Sequence, residues 1–253
     1  MSHLSDRALT FLFTFASMIV HHPVLDNILS GAFVMMEGGV MSKNSVDNRR
    51  MVFIDGENFR QRVAELLHDQ GVIADKNIYF SLDVRGLIED TLGINGVEIN
   101  YYASEIKTSK GYTPSPKIRK RIDRIKENSR RWVAMLKSQH INYIKAGNLK
   151  VKEGKKCNHC HKAQDVLQEK GVDVRMALDM LELSYEAENV NVISVSSDTD
   201  LCPSYHKIRK RKCKTTYICF SNSVNRAVAA ATDETITITP RKVMSYLRGK
   251  LND

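Results

Sequence analysis

The chain has 253 residues, 42% of them hydrophobic and 26% charged, with a formal net charge of +9 and a pI near 9.3. That length accommodates one domain with a sizeable core, and the apolar content excludes wholesale disorder. The first 48 residues hold two basic and four acidic side chains against chain totals of 38 and 29, which leaves residues 49–253 with +11. A compact basic domain points to a polyanionic partner, nucleic acid first; a basic protein with no such partner is the plain alternative. The five cysteines, Cys157, Cys160, Cys202, Cys213 and Cys219, are odd in number and unevenly spaced. They do not form a disulfide framework, and a reducing, cytoplasmic setting is expected.

Residues 1–48 read as an N-terminal extension. Its apolar run Ala8–Val20 has 13 residues, short for a bilayer span, so no stable membrane association is expected. It fits a docked helix, a weak membrane or targeting segment, or sequence upstream of a true start at Met41 or Met51. The last reading is favoured, so the extension is expected to matter little for function.

From Met51 onward, short apolar runs alternate with amphipathic segments. Residues 51–54 (MVFI) read as a buried strand, and 59–71 as a helix with Val63, Leu66 and Leu67 on one face, stopped by Gly71. A weaker helix is expected at 81–93, a β-rich strand at 97–104, and a Gly/Pro loop at 108–116. Residues 116–140 carry Ile118, Ile122, Ile125, Trp132, Val133 and Leu136 near helical spacing. A strand follows at 141–147. Residues 148–170 read as a polar, irregular excursion holding CNHCHK. A helix at 172–188 has Val174, Ala177, Met180, Leu181 and Leu183 on its apolar face, and strands are expected at 190–197, 215–220 and 235–239. This alternation predicts an α/β sandwich around a mostly parallel sheet, whose functional crevice lies beyond the carboxyl ends of the strands.

Acidic residues collect at those ends. Asp55 follows the first strand, Asp173 begins a helix, and Asp198 and Asp200 follow the strand at 190–197. Each has an ordinary structural explanation: Asp173 suits an N-cap before Val174, and Asp198 and Asp200 suit a turn. Together they would repel one another unless a cation or shared proton were present. Carboxylates with one amide, Asn58, are hard oxygen ligands suited to Mg2+ or Mn2+. Such a metal would favour water attack on a phosphodiester.

The segments VFIDGENF (52–59), EKGVDVRMALDMLELSYE (169–186) and VISVSSDTDL (192–201) resemble the successive motifs of NYN domains, in the PIN-like nuclease superfamily. The resemblance runs from about Met51 to about the end of the chain. It implies a PIN-like three-layer sandwich and a metal-dependent nuclease site, usually acting on RNA. It implies metal ligation by Asp55, Asp173, Asp198 and Asp200, with Asn58 as the polar residue after the first acid. Asp179 matches a frequent family position. Six residues on from Asp173, it lies about 120° around a helix and is expected to support the site indirectly or to pair with a cation. The third motif departs from the family, with Ser197 before the first acid and Leu201 after the second; Ser197 is expected to donate a hydrogen bond into the site. Glu57 is expected to point away from Asp55.

Two basic stretches are candidate substrate contacts: Arg121 and Arg124 on the helix at 116–140, and Lys207, Arg209, Lys210 and Arg211 in KIRKRKCK. The second is preferred for its nearness in sequence to Asp198. Tyr101, Tyr102 and Tyr112 could stack on bases or simply pack. Cys157 and Cys160, with His159 and His161 beside them, make half of a usual zinc site, and a polar surface excursion is the default reading. The expected function is metal-dependent, endonucleolytic hydrolysis of single-stranded or structured RNA. The alternative is a non-catalytic RNA-binding module; a homodimer is left open. A phosphatase reading of Asp198-Thr199-Asp200 is discounted, because that motif belongs after a first strand.

Overall fold

Strand β1 (Arg50–Asp55) is apolar along most of its length because both of its faces are covered. Met51 and Phe53 face one hydrophobic cluster, and Val52 and Ile54 face another, as period-two alternation requires. The computed structural model describes residues 49–71, 78–108, 113–156, 159, 163–186 and 189–247. The expectations for residues 1–48, Tyr112, Cys157, Cys160 and His161 fall outside these.

The remaining elements are α1 (Gly56–Asp69), α2 (Val84–Leu92), β2 (Glu98–Thr108), α3 (Pro116–Ser138), β3 (Asn142–Lys156), β4 (Ala163–Lys170), α4 (Val172–Glu186), β5 (Asn191–Val195), α5 (Cys202–Lys210), β6 (Lys214–Phe220), α6 (Arg226–Ala231), β7 (Glu234–Ile238) and α7 (Pro240–Ser245). The strands form one sheet in the order β4-β3-β2-β1-β5-β6-β7. Five of the six neighbouring pairs are parallel, and only β3–β4 is antiparallel. Residues of α1, α2, α3 and α7 bury one face of the sheet, and those of α4, α5 and α6 bury the other. The fold is therefore the expected three-layer α/β sandwich. Among the described residues, no helix is long and apolar enough to cross a membrane.

The sheet grows in opposite directions from its middle: β1 leads outward to β2 and β3, whereas β5 leads outward to β6 and β7. The gap between the carboxyl ends of β1 and β5 is the topological switch point, where open α/β sheets place their ligands.

Three sequence expectations change. The polar excursion at 148–170 is largely strand: β3 continues to Lys156, and Val151 pairs with Leu167 of β4. Val151 is fully buried against Ile118 and Ile122 of α3. Alternating lysines disguised this half-buried ladder. Helix α4 begins at Val172, so Asp173 sits in its first turn rather than at its N-cap. Its buried face is Val172, Met176, Met180, Leu183 and Ser184, while Val174 is 59% exposed. The face turned to the sheet is set by packing against β1 and β5, and Val174 lies off it.

Two glycines permit close packing near the switch point. A Cβ on Gly56 would stand 2.3 Å from the Tyr101 ring and 2.6 Å from the Tyr102 carbonyl. One on Gly147 would stand 2.7 Å from the Lys170 carbonyl, where the chain turns into α4. Both exceed what a side chain tolerates.

Candidate metal and nuclease site

Asp55 ends β1 and caps α1. Its Oδ1 accepts the Asn58 N–H at 3.1 Å, so the capping reading is correct as far as it goes. Its Oδ2 accepts from the Ser196 hydroxyl at 3.2 Å across the switch point. Alternation places Asp55 on the Met51–Phe53 side, the side covered by α4, whose first turn carries Asp173.

Asn58 joins the two acidic segments. Its Nδ2 donates to Ser197 Oγ at 3.1 Å, and its Oδ1 accepts from Ser197 N–H at 3.2 Å. Asn225 holds the same serine from the other side, donating to its carbonyl at 2.8 Å while capping α6 through Oδ1. Just beyond, the Asp198 N–H donates to Ser196 Oγ at 3.2 Å, and Asp198 Oδ1 accepts the Asp200 N–H at 2.9 Å. Ser196 and Asn225 were not among the sequence candidates. Serines and asparagines are common in loops, and only pairing across β1, β5 and β6 distinguishes these two.

The electrostatics set Asp55 apart. Burial pushes its carboxyl above the ordinary aspartate range, and the charge of Asp198 adds to this, although hydrogen bonds from Asn58 and Ser196 pull the other way. Glu169, near the end of β4, is the acid that sequence reading missed. Partial burial and the charges of Glu57, Asp55 and Asp173 push its carboxyl up, with Arg60 opposing. Asp55, Glu57, Glu169, Asp173 and Asp198 therefore share one field.

The predicted residues separate into groups. Asp55, Asn58, Ser197 and Asp198 are tied together by hydrogen bonds and charge, and Asp173 approaches through its effect on Glu169. The half-buried Asp173 carboxylate accepts no hydrogen bond among the described residues. Asp200 is exposed. Asp179 is engaged elsewhere: it pairs with Arg175 at 2.8 Å and accepts from the Tyr102 hydroxyl at 2.9 Å, which bolts α4 to β2. Tyr101 and Tyr102 are 1% exposed and belong to the core. Glu57 is exposed and ion-paired to Arg60.

Arg121 lines a groove beside Glu57 and Glu169, and Arg124 is exposed on the same helix. Lys207, Arg209, Lys210 and Arg211 are not brought to the acids. Helix α5 runs from the carboxyl edge to the amino edge of the sheet, placing them roughly 8–13 Å along its axis from its start near Asp198. There Arg209 pairs with Asp233 at 2.7 Å, and the Arg211 guanidinium lies 3.6 Å from the centre of the Tyr185 ring. Nearness in sequence does not become nearness in space here, because a helix intervenes. His159 lies in an exposed turn.

Among the described residues, no three His, Cys, Asp or Glu side chains form a ready metal cage. The donor set still suits a hard divalent cation. Mg2+ commonly takes one or two carboxylates and completes its octahedron with water and substrate phosphate. Asp55 and Asp198 supply such a pair.

A search of curated proteins finds no match. Among solved structures, the chain is similar to a protein of unknown function from Vibrio parahaemolyticus, with 15% identity and a TM-score of 0.43, covering 78% of this chain and 96% of that one. The NYN domain family model matches residues 49–239. The chain therefore belongs to the NYN domain family, within the PIN-like nuclease superfamily.

Proposed function

We propose that residues 49–253 form a metal-dependent endoribonuclease and that residues 1–48 are dispensable for it. The observation that carries this reading is the half-buried Asp55 carboxylate, hydrogen-bonded to Asn58 and Ser196 and close to Asp198 with no ion pair among the described residues, at the switch point of an NYN domain. Asp55 and Asp198 would hold Mg2+ or Mn2+, with Asp173 and Asp200 bordering the ion. When bound, the ion would supply Lewis acidity toward a phosphoryl oxygen and make water a better nucleophile.

The chain's own groups supply the rest. Asn58, clamped between β1 and Ser197, keeps the two acidic segments at fixed spacing. Ser196 orients the Asp55 carboxylate. Asp173, with no hydrogen bond to satisfy, is free to orient the attacking water and accept its proton at a carboxylate oxygen. Arg121 holds RNA phosphate on the α3 side of the site. The free thiols Cys202, Cys213 and Cys219 support the expectation of a reducing, cytoplasmic setting.

A non-catalytic RNA-binding module is the second reading, favoured by the lack of a three-ligand cage among the described residues. Incubating labelled single-stranded RNA with Mg2+ or Mn2+, beside Asp55→Asn and Asp198→Asn, separates the two. Metal-dependent cleavage abolished by both substitutions is expected. Cleavage surviving in both would remove this site, and metal-independent binding without cleavage would establish the module.

A further inference from the structure

A groove of about 700 Å3 lies between α1 and α3. This volume falls within the usual range for small-ligand sites, roughly 300–1,000 Å3. Glu57 and Glu169 are in its lining, and Glu169 feels the charges of Glu57, Asp55 and Asp173. Arg121 projects from α3 along one wall. Tyr79 and Phe80 are half-buried in the lining, with Trp132 beneath. The Phe80 ring already carries the Arg131 guanidinium at 4.1 Å and meets Trp132 edge-on. Tyr79 packs in part against the core, stacks on no other ring among the described residues and lines the groove with the rest of its surface.

The two glutamates differ. Glu57 is neutralised by Arg60. Glu169 has neither an ion pair nor a hydrogen bond among the described residues. It thus presents two acceptor oxygens at the junction of groove and acidic centre. The ligand that satisfies it must offer two adjacent donors on a flat, stackable body and carry a phosphate within reach of Arg121.

We propose that the groove binds one unpaired guanine of the RNA substrate, with Glu169 accepting from its N1–H and N2–H groups, Tyr79 stacking on the base and Arg121 contacting the adjoining phosphate. The proposal rests on the ribonuclease reading for its substrate. Guanine alone among the four RNA bases has two neighbouring donors on its Watson–Crick edge. Adenine and cytosine present one donor beside an acceptor, and uracil one donor between two acceptors, so each sets a lone pair against the carboxylate. That edge is free only in an unpaired nucleotide, so the same contact selects single-stranded segments over duplex.

Trp132 is the only tryptophan of the chain and lines this groove, so its fluorescence reports occupancy without any cleavage. The intact protein is titrated, without metal, with the 5′-monophosphates of guanosine, adenosine, cytidine and uridine. Guanosine monophosphate is expected to give a saturable change with about tenfold higher affinity than the other three, as a two-point base contact provides. Glu169→Gln, which keeps the side chain's size, is expected to bring all four within about twofold of one another. Equal affinities in the unaltered protein, or a guanine preference that survives Glu169→Gln, would overturn the proposal. Guanine-selective binding by a protein that cleaves no RNA would sustain the pocket and sink the nuclease reading. Cleavage with no fluorescence response to any nucleotide would do the reverse.

Discussion

Asp55 and Asp233 stand at opposite edges of one sheet, and their surroundings push them in opposite directions. Asp233, at the amino edge, pays for its partial burial with three partners: the Thr215 N–H at 2.9 Å, the Thr215 hydroxyl at 2.8 Å and Arg209 at 2.7 Å. Burial opposes its charge, yet these donors hold its carboxyl below the ordinary range. Asp55, at the carboxyl edge, has hydrogen bonds but no cation and faces Asp198, and burial raises it. A carboxylate kept for stability is matched within the fold. On the proposed reading, one left beside another carboxylate is held for a cation that arrives, at some cost to stability.

The largest effect that could break this contrast is on activity. Asp55→Asn is expected to lower cleavage at least about 100-fold, the scale seen when a transition-state electrostatic group is removed, whereas Asp233→Asn should leave cleavage nearly unchanged. Initial rates on one labelled RNA compare the two directly.

Next in size are the basic residues of each edge. Arg121→Glu, beside the acids, is expected to weaken RNA binding about tenfold at low salt and to flatten its salt dependence. The double change Lys210→Glu with Lys212→Glu, at the far edge, should cost about twofold or less in a filter-binding or anisotropy titration. The reverse ranking would show that the track runs along the amino edge.

Stability sharpens the comparison further. Asp233→Asn is expected to cost about 1 kcal/mol at neutral pH, a figure reduced for solvent screening of a partly exposed pair. Because the carboxyl of Asp233 is depressed, its contribution is present above the usual aspartate range and disappears as pH falls through its folded value. The deficit of the variant, followed by urea unfolding, should vanish in strong acid.

The smallest expected change has the opposite sign. Asparagine caps a helix as well as aspartate does, so Asp55→Asn keeps the cap of α1 while removing a half-buried charge. A gain of a few tenths of a kcal/mol is expected at pH 7. It should fade as pH falls through the raised folded value and be gone below the ordinary carboxylate range, where Asp55 is protonated in both folded and unfolded chains. Asp55→Ala, which also loses the cap, should cost about 1 kcal/mol. Thermal melts of the three proteins across pH test both statements.

The legibility of the sequence followed the range of the interactions involved. Strand β1 was legible because a strand buried on both faces must be apolar throughout, and α3 because its inward residues recur at helical spacing. The hairpin of β3 and β4 was hidden because its inward residues, Val151 and Leu167 among those described, are spaced among lysines and other polar residues. Asp55, Asn58 and Asp198 stood out as polar groups just past apolar runs. Ser196 and Asn225 did not, because their partners come from other segments, and Glu169 did not, because the acids around it are carried by other elements. The basic end of α5 was misplaced because a helix converts nearness along the chain into distance in space.

Local periodicity and element ends by themselves determined an α/β chain with carboxylates at the tips of its strands, since burial and backbone geometry act over a few residues. Tertiary structure alone decided which tips meet. The order of strands set β1 against β5, and the side of the sheet that each helix covers set Asp173 near Asp55 and carried Arg209 away. Those choices depend on contacts between segments more than a hundred residues apart, as in the Asn58–Ser197 clamp, whose partners are 139 positions apart.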